Sequence, residues 1–315
     1  MAAIELDGVT KRFGDVTAVD DLDLTVPEGE VFGFLGPNGA GKSTTINLLL
    51  DFVRPTEGRV SVLGMDPQAD SVAVRERTGV LPEGFSVYDR LTGREHIEFA
   101  IESKDAAADP AAVLDRVGLA GDGDRKAGGY SKGMAQRLAL GMALVGEPDL
   151  LILDEPSSGL DPAGAKEMRE IVREEADRGA TVFFSSHVLG QVEAVCDSVG
   201  ILRAGELVAR DSVEGLRDAV GTGATLEIAA PGVTDEQLDA VRSLAGVDAA
   251  STDGSVVTVQ CDSEAKTEVI GALEGEGVAV EDFSTRESSL EDLFLAYTEG
   301  DAPRADAGTP AEVES

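Results

Sequence analysis

Apolar and polar residues alternate near the start of the chain, which predicts two half-buried antiparallel strands. Apolar positions with this period of two fall at Ile4, Leu6 and Val9, and again at Leu22, Leu24 and Val26. The continuous apolar run Val31–Leu35 predicts a fully buried strand. A glycine-rich loop over residues 37–41 and helical spacing over residues 44–53 follow it. The first fifty residues therefore predict strands, a loop and a helix in succession.

The middle of the chain alternates helical and strand patterns. Helical spacing occurs over residues 95–101, 111–117, 136–145, 164–178 and 188–196. Short apolar runs predict buried strands at residues 150–153 and 181–184. This alternation is typical of an α/β fold in which helices cover a mainly parallel sheet.

The pattern changes at Gly221-Thr222-Gly223, which we interpret as a linker. Beyond it, strands are predicted at residues 225–229, 247–251, 256–260 and 278–283, and helices at 236–244 and 264–273. Asp253-Gly254 predicts a hairpin turn. The order β-α-β-β-α-β is typical of a ferredoxin-like domain, with another small α+β domain as the alternative. A helix at 290–297, opened by the capping-box pair Ser288 and Glu291, and a disordered tail at 301–315 complete the prediction.

Charge narrows the range of partners. Asp and Glu number 60 and Lys and Arg 26, giving a formal net charge of −34 over 315 residues. This argues against non-specific nucleic-acid binding, in which basic side chains neutralise phosphates, and against broad electrostatic adhesion to anionic membranes. We interpret the charge as adaptation to a salty cytoplasm, such as that of a halophilic archaeon, because molar salt screens repulsion among carboxylates. A merely acidic soluble protein is the alternative.

Cysteine use and hydropathy indicate a cytoplasmic setting. Cys196 and Cys261 are far apart and form no CxxC pattern, so neither a disulfide framework nor a structural zinc site is expected. No stretch approaches the ~20 apolar residues of a membrane-spanning helix, and the first residues do not form a secretory signal. We therefore expect a protein that does not cross a bilayer by itself.

A phosphate-binding motif follows the buried strand Val31–Leu35. The segment Gly36-Pro37-Asn38-Gly39-Ala40-Gly41-Lys42-Ser43 fits G-x-x-x-x-G-K-[ST] and is followed by Thr44. Glycines in such a loop let backbone N–H groups turn toward phosphate oxygens. Lys42 can reach the β- and γ-phosphates of a nucleotide, and the Ser43 hydroxyl can ligate Mg²⁺.

Two further segments carry candidate chemistry. The strand at residues 150–153 ends in Asp154, a candidate Mg²⁺ ligand, and Glu155, a candidate general base. Ser131 and Gly133 precede the helix at 136–145 and could present a hydroxyl and N–H groups to a phosphate. An ordinary helix cap is the alternative for this second segment.

In this order and spacing, the motifs resemble those of the ATP-binding subunits of ABC transporters, over residues 4–215. The resemblance makes residues 36–44 the Walker A loop and Asp154 and Glu155 the Walker B pair. It also implies roles for residues outside those motifs: adenine stacking by Phe13, the Q-loop position for Glu83, the signature for Tyr130 to Met134, the D-loop for Ser158 to Asp161, and the γ-phosphate switch for His187. Glu83 replaces the usual glutamine, and the signature ends in Met134; both variants resemble the ABC-2 exporter subgroup. Glu83 can also ligate Mg²⁺.

The resemblance implies a P-loop cassette with a parallel-sheet core, an antiparallel β subdomain and a helical subdomain at about residues 85–145. It assigns residues 1–220 to ATP binding and residues 222–300 to an accessory or regulatory domain. The implied activity is Mg²⁺-dependent ATP hydrolysis that drives export through a separate ABC-2 permease. The implied assembly is a head-to-tail homodimer, or a dimer with a close paralogue, on the inner face of the membrane. A soluble ABC ATPase acting on ribosomes or DNA and a nucleotide-binding regulator without turnover are the alternatives.

Overall fold

The computed structural model describes residues 1–220, 223–262 and 264–287. Most of the predicted linker, the capping box at Ser288, the helix at 290–297 and the tail at 301–315 lie outside the described residues. The chain divides into two compact units, one comprising Met1–Val213 and the other beginning at Glu214. The sequence predicts this division a few residues later, at the linker.

Strands and helices alternate along the first unit. Its first half contains β1 (Ala2–Phe13), β2 (Val16–Pro27), β3 (Val31–Leu35), α1 (Lys42–Leu49), β4 (Glu57–Val62), α2 (Ser71–Arg77), β5 (Thr78–Leu81), α3 (Gly93–Lys104) and α4 (Pro110–Arg116). Its second half contains α5 (Lys132–Leu144), β6 (Leu150–Asp154), α6 (Pro162–Arg178), β7 (Thr181–Ser186), α7 (Leu189–Glu193), β8 (Ser198–Arg203) and β9 (Glu206–Ser212), and α8 (Val213–Val220) follows.

A six-stranded sheet forms the centre of this unit, in the order β5-β6-β7-β3-β8-β9. The first five strands are parallel and β9 is antiparallel to β8. Every residue of β3, β6 and β7 is buried, as the continuous apolar runs predict. The rings of Phe32, Phe34 and Phe183 pack with centroids 5.0 to 6.5 Å apart. The predicted parallel core is confirmed.

A second sheet, β2-β1-β4, is antiparallel. Its register pairs Leu6 with Leu24 and Val9 with Leu22, and these side chains face the same buried cluster as the core phenylalanines. The alternating pattern thus correctly predicts the pairing of the first two strands.

Helices α3, α4 and α5 form the helical part between β5 and β6. Thr92 and Glu95 make a capping box at the start of α3, and the side chains of Asp109 and Ser131 cap α4 and α5. No helix in the described part of the chain is long and apolar enough to span a bilayer.

The second unit contains β10 (Gly223–Ala229), α9 (Asp235–Arg242), β11 (Val247–Thr252), β12 (Val256–Asp262), α10 (Lys266–Gly275) and β13 (Asp282–Glu287). Its antiparallel sheet has the order β11-β12-β10-β13. This order and the two helices between the strands confirm the ferredoxin-like prediction. The predicted hairpin is also present, with Thr252 paired to Val257 and Gly254 at a φ of 98° in the turn.

Some predicted boundaries were wrong. Helix α1 ends at Leu49 and not at residue 53, because the backbone of Asp51 turns into the left-handed region with φ 54°. The helix predicted to 196 ends at Glu193, since the Asp197 N–H donates to the Val31 carbonyl and returns the chain to the sheet. Strand β13 begins after Val278, whose N–H instead donates to Leu273 and closes α10.

Both cysteines are buried, each inside one of the two units. Cys196 lies beside strand β3 near Gly33, and Cys261 belongs to the core of the second unit. Burial raises the pKa of both thiols above the ordinary cysteine value. Neither thiol forms a disulfide.

Candidate active site

A pocket of about 300 Å³ opens where β3 passes into α1. It is lined by the loop after β3, by the ends of β5 and β6 and by one residue of β2: Ala18, Pro37, Asn38, Gly39, Gly41, Lys42, Ser43, Thr44, Glu83, Asp154 and Glu155. Gly36 and Ala40, the remaining residues of the predicted loop, are buried. The structure therefore gathers the phosphate-binding loop and the three predicted carboxylates around one cavity at the carboxyl edge of the sheet.

The shape of the loop requires a glycine at position 41. Gly41 has φ 113°, and a Cβ added there would lie 2.5 Å from the Ala18 carbonyl oxygen. Gly41 is also the residue before α1, which has no side-chain cap. The first N–H groups of α1 therefore remain available to an anion at the pocket.

Lys42 is buried at this pocket and bonded to the loop itself. Its Nζ donates to the Gly36 carbonyl at 2.6 Å and to the Pro37 carbonyl at 3.3 Å. Burial lowers the pKa of the ammonium, while the negative charges of Glu155, Asp154 and Glu83 act in the opposite direction. Because its contacts are carbonyl oxygens and no carboxylate, the ammonium can exchange them for phosphate oxygens.

Asp154 and Glu155 stand at the end of β6, and both are buried. Burial raises the pKa of Asp154; Glu83 and Glu155 add to this rise, and Lys42 opposes it. Glu155 has φ 49°, in the left-handed region. His187, just after β7, donates from Nδ1 to Glu155 Oε1 at 2.7 Å. The two residues predicted to be catalytic are therefore in direct contact.

The donor set suits Mg²⁺ bound together with a nucleotide. Ser43, Asp154 and Glu83 bring one hydroxyl and two carboxylates to the pocket lining, and all are oxygen donors. Within the residues that the structure describes, no group of three or more His, Cys, Asp or Glu forms a ready metal cage. Mg²⁺ commonly binds through one or two carboxylates and the substrate's phosphates, so the residues present fit this ion.

Ser131, Gly133 and Asp161 do not line this pocket. Ser131 Oγ accepts a hydrogen bond from the Met134 N–H at the start of α5, and Asp161 accepts one from the Gly164 N–H at the start of α6. Lys132 Nζ donates to Ser158 Oγ at 3.0 Å. The structure thus brings the predicted signature segment against the predicted D-loop, away from the chain's own Lys42.

Phe13 is 49% exposed at the end of β1, with Lys11 Nζ 4.7 Å from its ring centroid. Phe13 does not belong to the lining of the pocket among the residues that the structure describes. Adenine stacking by Phe13 stays a prediction.

Comparison with known proteins decides the family. A family model described as "ABC transporter" matches residues 19–158. The daunorubicin resistance ATP-binding protein DrrA3 of Streptomyces coeruleorubidus is 34% identical over 306 residues, covering 95% of this chain and 96% of that protein. The chain belongs to the ABC transporter ATP-binding proteins.

Two further matches support this membership. The linearmycin resistance ATP-binding protein LnrL of Bacillus subtilis (strain 168) is 31% identical over 304 residues. The matched region covers 94% of this chain and 98% of that protein. A solved structure described as the ATP binding subunit of an ABC transporter has a TM-score of 0.64 at 28% identity, covering 70% of this chain and 93% of that one. The predicted cassette fold and the role of a transporter ATPase are confirmed. Both named relatives are bacterial, and the halophilic archaeal origin stays a prediction.

Gln136 of this ABC ATPase contacts the residues that follow β6, a contact that was not predicted from the sequence. Gln136 is buried on α5, and its Nε2 donates to the Pro156 carbonyl at 3.0 Å and to the Glu155 carbonyl at 3.4 Å. The available signal was a polar residue among the apolar positions of α5, two residues after the signature segment. Ala18, which lines the pocket from β2, had no such signal.

Proposed function

We propose that this ATPase drives export through a separate membrane permease of the ABC-2 type, working as a head-to-tail dimer at the inner face of the cell membrane. The named relatives are resistance proteins for daunorubicin and linearmycin, which supports an exporter of such drugs or similar compounds. The second unit, with its ferredoxin-like sheet, would then be an accessory or regulatory domain.

The contact between Glu155 and His187 at the Lys42 pocket carries the proposal for the chemistry. Glu155 takes a proton from a water molecule as the water oxygen forms a bond to the γ-phosphorus. The bond from that phosphorus to the bridging oxygen breaks, so that ADP and phosphate leave. Lys42 binds the phosphates, and His187 orients the Glu155 carboxylate. Ser43 and Asp154, with Glu83 nearby, would hold Mg²⁺, and the bound ion would supply positive charge to the phosphates.

The positions of Ser131 and Gly133 support the dimer. Both lie outside the chain's own pocket and start α5, whose N-terminus can bind a phosphate. In a head-to-tail pair, this segment would complete the Lys42 pocket of the second copy. Homodimerisation and pairing with a close paralogue both satisfy this geometry.

A groove of about 520 Å³ supports the permease interface, and we call it the apolar groove. Its rim includes Phe52, Val72 and Phe99, which are 65%, 67% and 56% exposed. Lys104 lies in its lining with Nζ bonded to the Thr78 and Val145 carbonyls. Exposed apolar side chains gathered around a concavity are typical of a protein interface. The resemblance to ABC transporter subunits also implies that the stretch from Glu83 to about residue 101, which includes Phe99, faces the permease.

Replacing Phe99 with glutamate tests this interface. We expect about tenfold weaker association with membranes that contain the permease, because a carboxylate would be buried against apolar surface. ATP turnover of the isolated protein should stay unchanged. The permease encoded beside this gene would be co-expressed, and membrane-bound ATPase measured by sedimentation. Phe283→Glu alters an equally exposed aromatic residue of the second unit and is the matched control. Equal sedimentation of both variants and the unaltered protein would rule out the groove as the docking site.

The charge of −34 leads us to propose a salty cytoplasm as the natural setting. We expect ATP turnover to rise severalfold between about 0.1 M and about 1 M KCl, as the Debye length falls from about 10 Å to about 3 Å. Initial rates at fixed Mg²⁺ and ATP would measure this, with thermal unfolding followed in parallel. Activity that is highest at low salt and declines steadily toward molar KCl contradicts the proposal.

A further inference from the structure

Gln136 makes contacts that the roles assigned above leave unexplained. Its side chain is 9% exposed on α5 and reaches two consecutive peptide carbonyls, those of Glu155 and Pro156. Both partners are acceptors, so the NH₂ group of the carboxamide must face them. One of the two carbonyls belongs to Glu155, the residue proposed as the base. The buried amide of Gln136 therefore fixes the peptide between Glu155 and Pro156.

Glu155 needs such support because of its backbone conformation. Its φ of 49° is unfavourable for a residue with a Cβ and persists only where the surroundings determine it. The Glu155 N–H donates to the Ser185 carbonyl at 3.0 Å, and the Ser158 N–H donates to the Glu155 carbonyl at 3.0 Å. These two hydrogen bonds join backbone groups. The third hydrogen bond to the Glu155 backbone comes from the side chain of Gln136, on helix α5.

The first turns of α5 also contact the residues that follow Glu155 and Pro156, namely Ser158 and Gly159. Lys132 Nζ donates to Ser158 Oγ at 3.0 Å. A Cβ added at Gly133 would lie 3.1 Å from the Gly159 carbonyl oxygen, so the two backbones pass close together. Residues 132, 133 and 136 share one face of the helix. The first of them is the residue next to Ser131, which caps the helix. A shift of α5 would therefore move the peptide carrying Glu155.

We propose that Gln136 is a positioning residue for ATP hydrolysis, which holds the Glu155 carboxylate in place and links the position of α5 to it. This inference rests on the proposed role of Glu155 as the base. In the proposed dimer, the helix that contacts the second copy's nucleotide would thereby set the base of its own chain. The Gln136 amide would thus be one of the contacts that connect the two sites.

Gln136→Met removes both donated hydrogen bonds and keeps the length of the side chain. We expect kcat to fall about tenfold or more, because small misplacements of a catalytic group are costly, while KM for ATP stays within about threefold. Gln136→His retains an N–H donor at similar reach and should recover most of the rate. Leu140→Val, one turn along α5, is the control for stability, since it trims the same helix without removing a donor.

The dependence on Glu155 separates this inference from the proposed base. If Gln136 acts through Glu155, Gln136→Met should lower the residual rate of a Glu155→Gln variant by less than about twofold. Three results would overturn the inference: wild-type kcat in Gln136→Met, equal losses in Gln136→Met and Gln136→His, or the full loss persisting with Glu155→Gln. If Gln136→Met does not fold, Gln136→Asn, which shortens the reach by one methylene, takes its place under the same criteria. If Glu155 is not the base, the Glu155→Gln variant alone would hydrolyse ATP at the normal rate, and this result is distinct from the three above.

Discussion

Glu155→Gln is expected to lower the rate of ATP hydrolysis by about 10² or more while ATP still binds. Glutamine keeps the shape of the side chain, and its Oε1 can still accept the hydrogen bond from His187 Nδ1. Only the basicity is lost, so the proton of the attacking water has no acceptor. Single-turnover hydrolysis and nucleotide binding, measured on the same preparation, separate the two effects.

Glu83→Gln is the matched control for this prediction. Glu83 also lines the pocket, but it is exposed in the loop after β5, whereas Glu155 is buried at a strand end. We expect a loss of less than about tenfold, equivalent to a barrier change below about 1.4 kcal/mol. If Glu83→Gln is inactive and Glu155→Gln turns over normally, the base has been assigned to the wrong carboxylate.

Lys42→Met should weaken ATP binding by about 10²-fold. Hydrogen bonds to a charged group contribute about 1.5–3 kcal/mol each, and the ammonium can give two or more to phosphate oxygens. The substitution also leaves Asp154, Glu155 and Glu83 without the cation that offsets their charge. Titration with a fluorescent ATP analogue measures the affinity, and thermal unfolding checks that the variant is folded.

Lys166→Met gives the comparison for Lys42→Met, because Lys166 is a well-exposed lysine on α6 that pairs with Glu170 on the surface. It should bind ATP as the unaltered protein does. An affinity of Lys42→Met within about threefold of the unaltered protein would mean that the loop N–H groups alone hold the phosphates.

The buried strands were predictable because their environment leaves a simple pattern. Strand β3 has the predicted bounds, Val31–Leu35, since a parallel strand covered on both faces must be apolar throughout. Strand β9 was missed because only one of its seven residues is buried, and its sequence Glu-Leu-Val-Ala-Arg-Asp-Ser has no clean alternation. Strand β5 was missed for a different reason. Its Gly79 leaves no room for a Cβ, which would lie 2.1 Å from the Ala143 carbonyl oxygen, and this close approach of α5 is a tertiary feature.

The site also contains residues that could be predicted from the sequence and residues that could not. The loop after β3 and the carboxylates after β6 are contiguous in sequence, so their motifs could be recognised and their meeting at one sheet edge expected. The contact of Gln136 with Glu155 joins residues 19 positions apart on different elements. Sequence spacing gives no reason to pair them. The helix cap at Ser131 was the predicted alternative to phosphate binding, and the structure contains it. The cap at Asp161 was not predicted, because that residue was assigned only to the D-loop.

The burial of Cys196 and Cys261 makes the unaltered chain a convenient background for spectroscopic labels. These are its only two cysteines, and both are buried with raised thiol pKa values, so little thiolate is present at neutral pH. A single cysteine introduced at an exposed position, such as Glu102 on α3, would therefore take up a nitroxide or a fluorophore selectively. Distances between two such probes would then test whether two copies approach each other during the nucleotide cycle, without first removing native thiols.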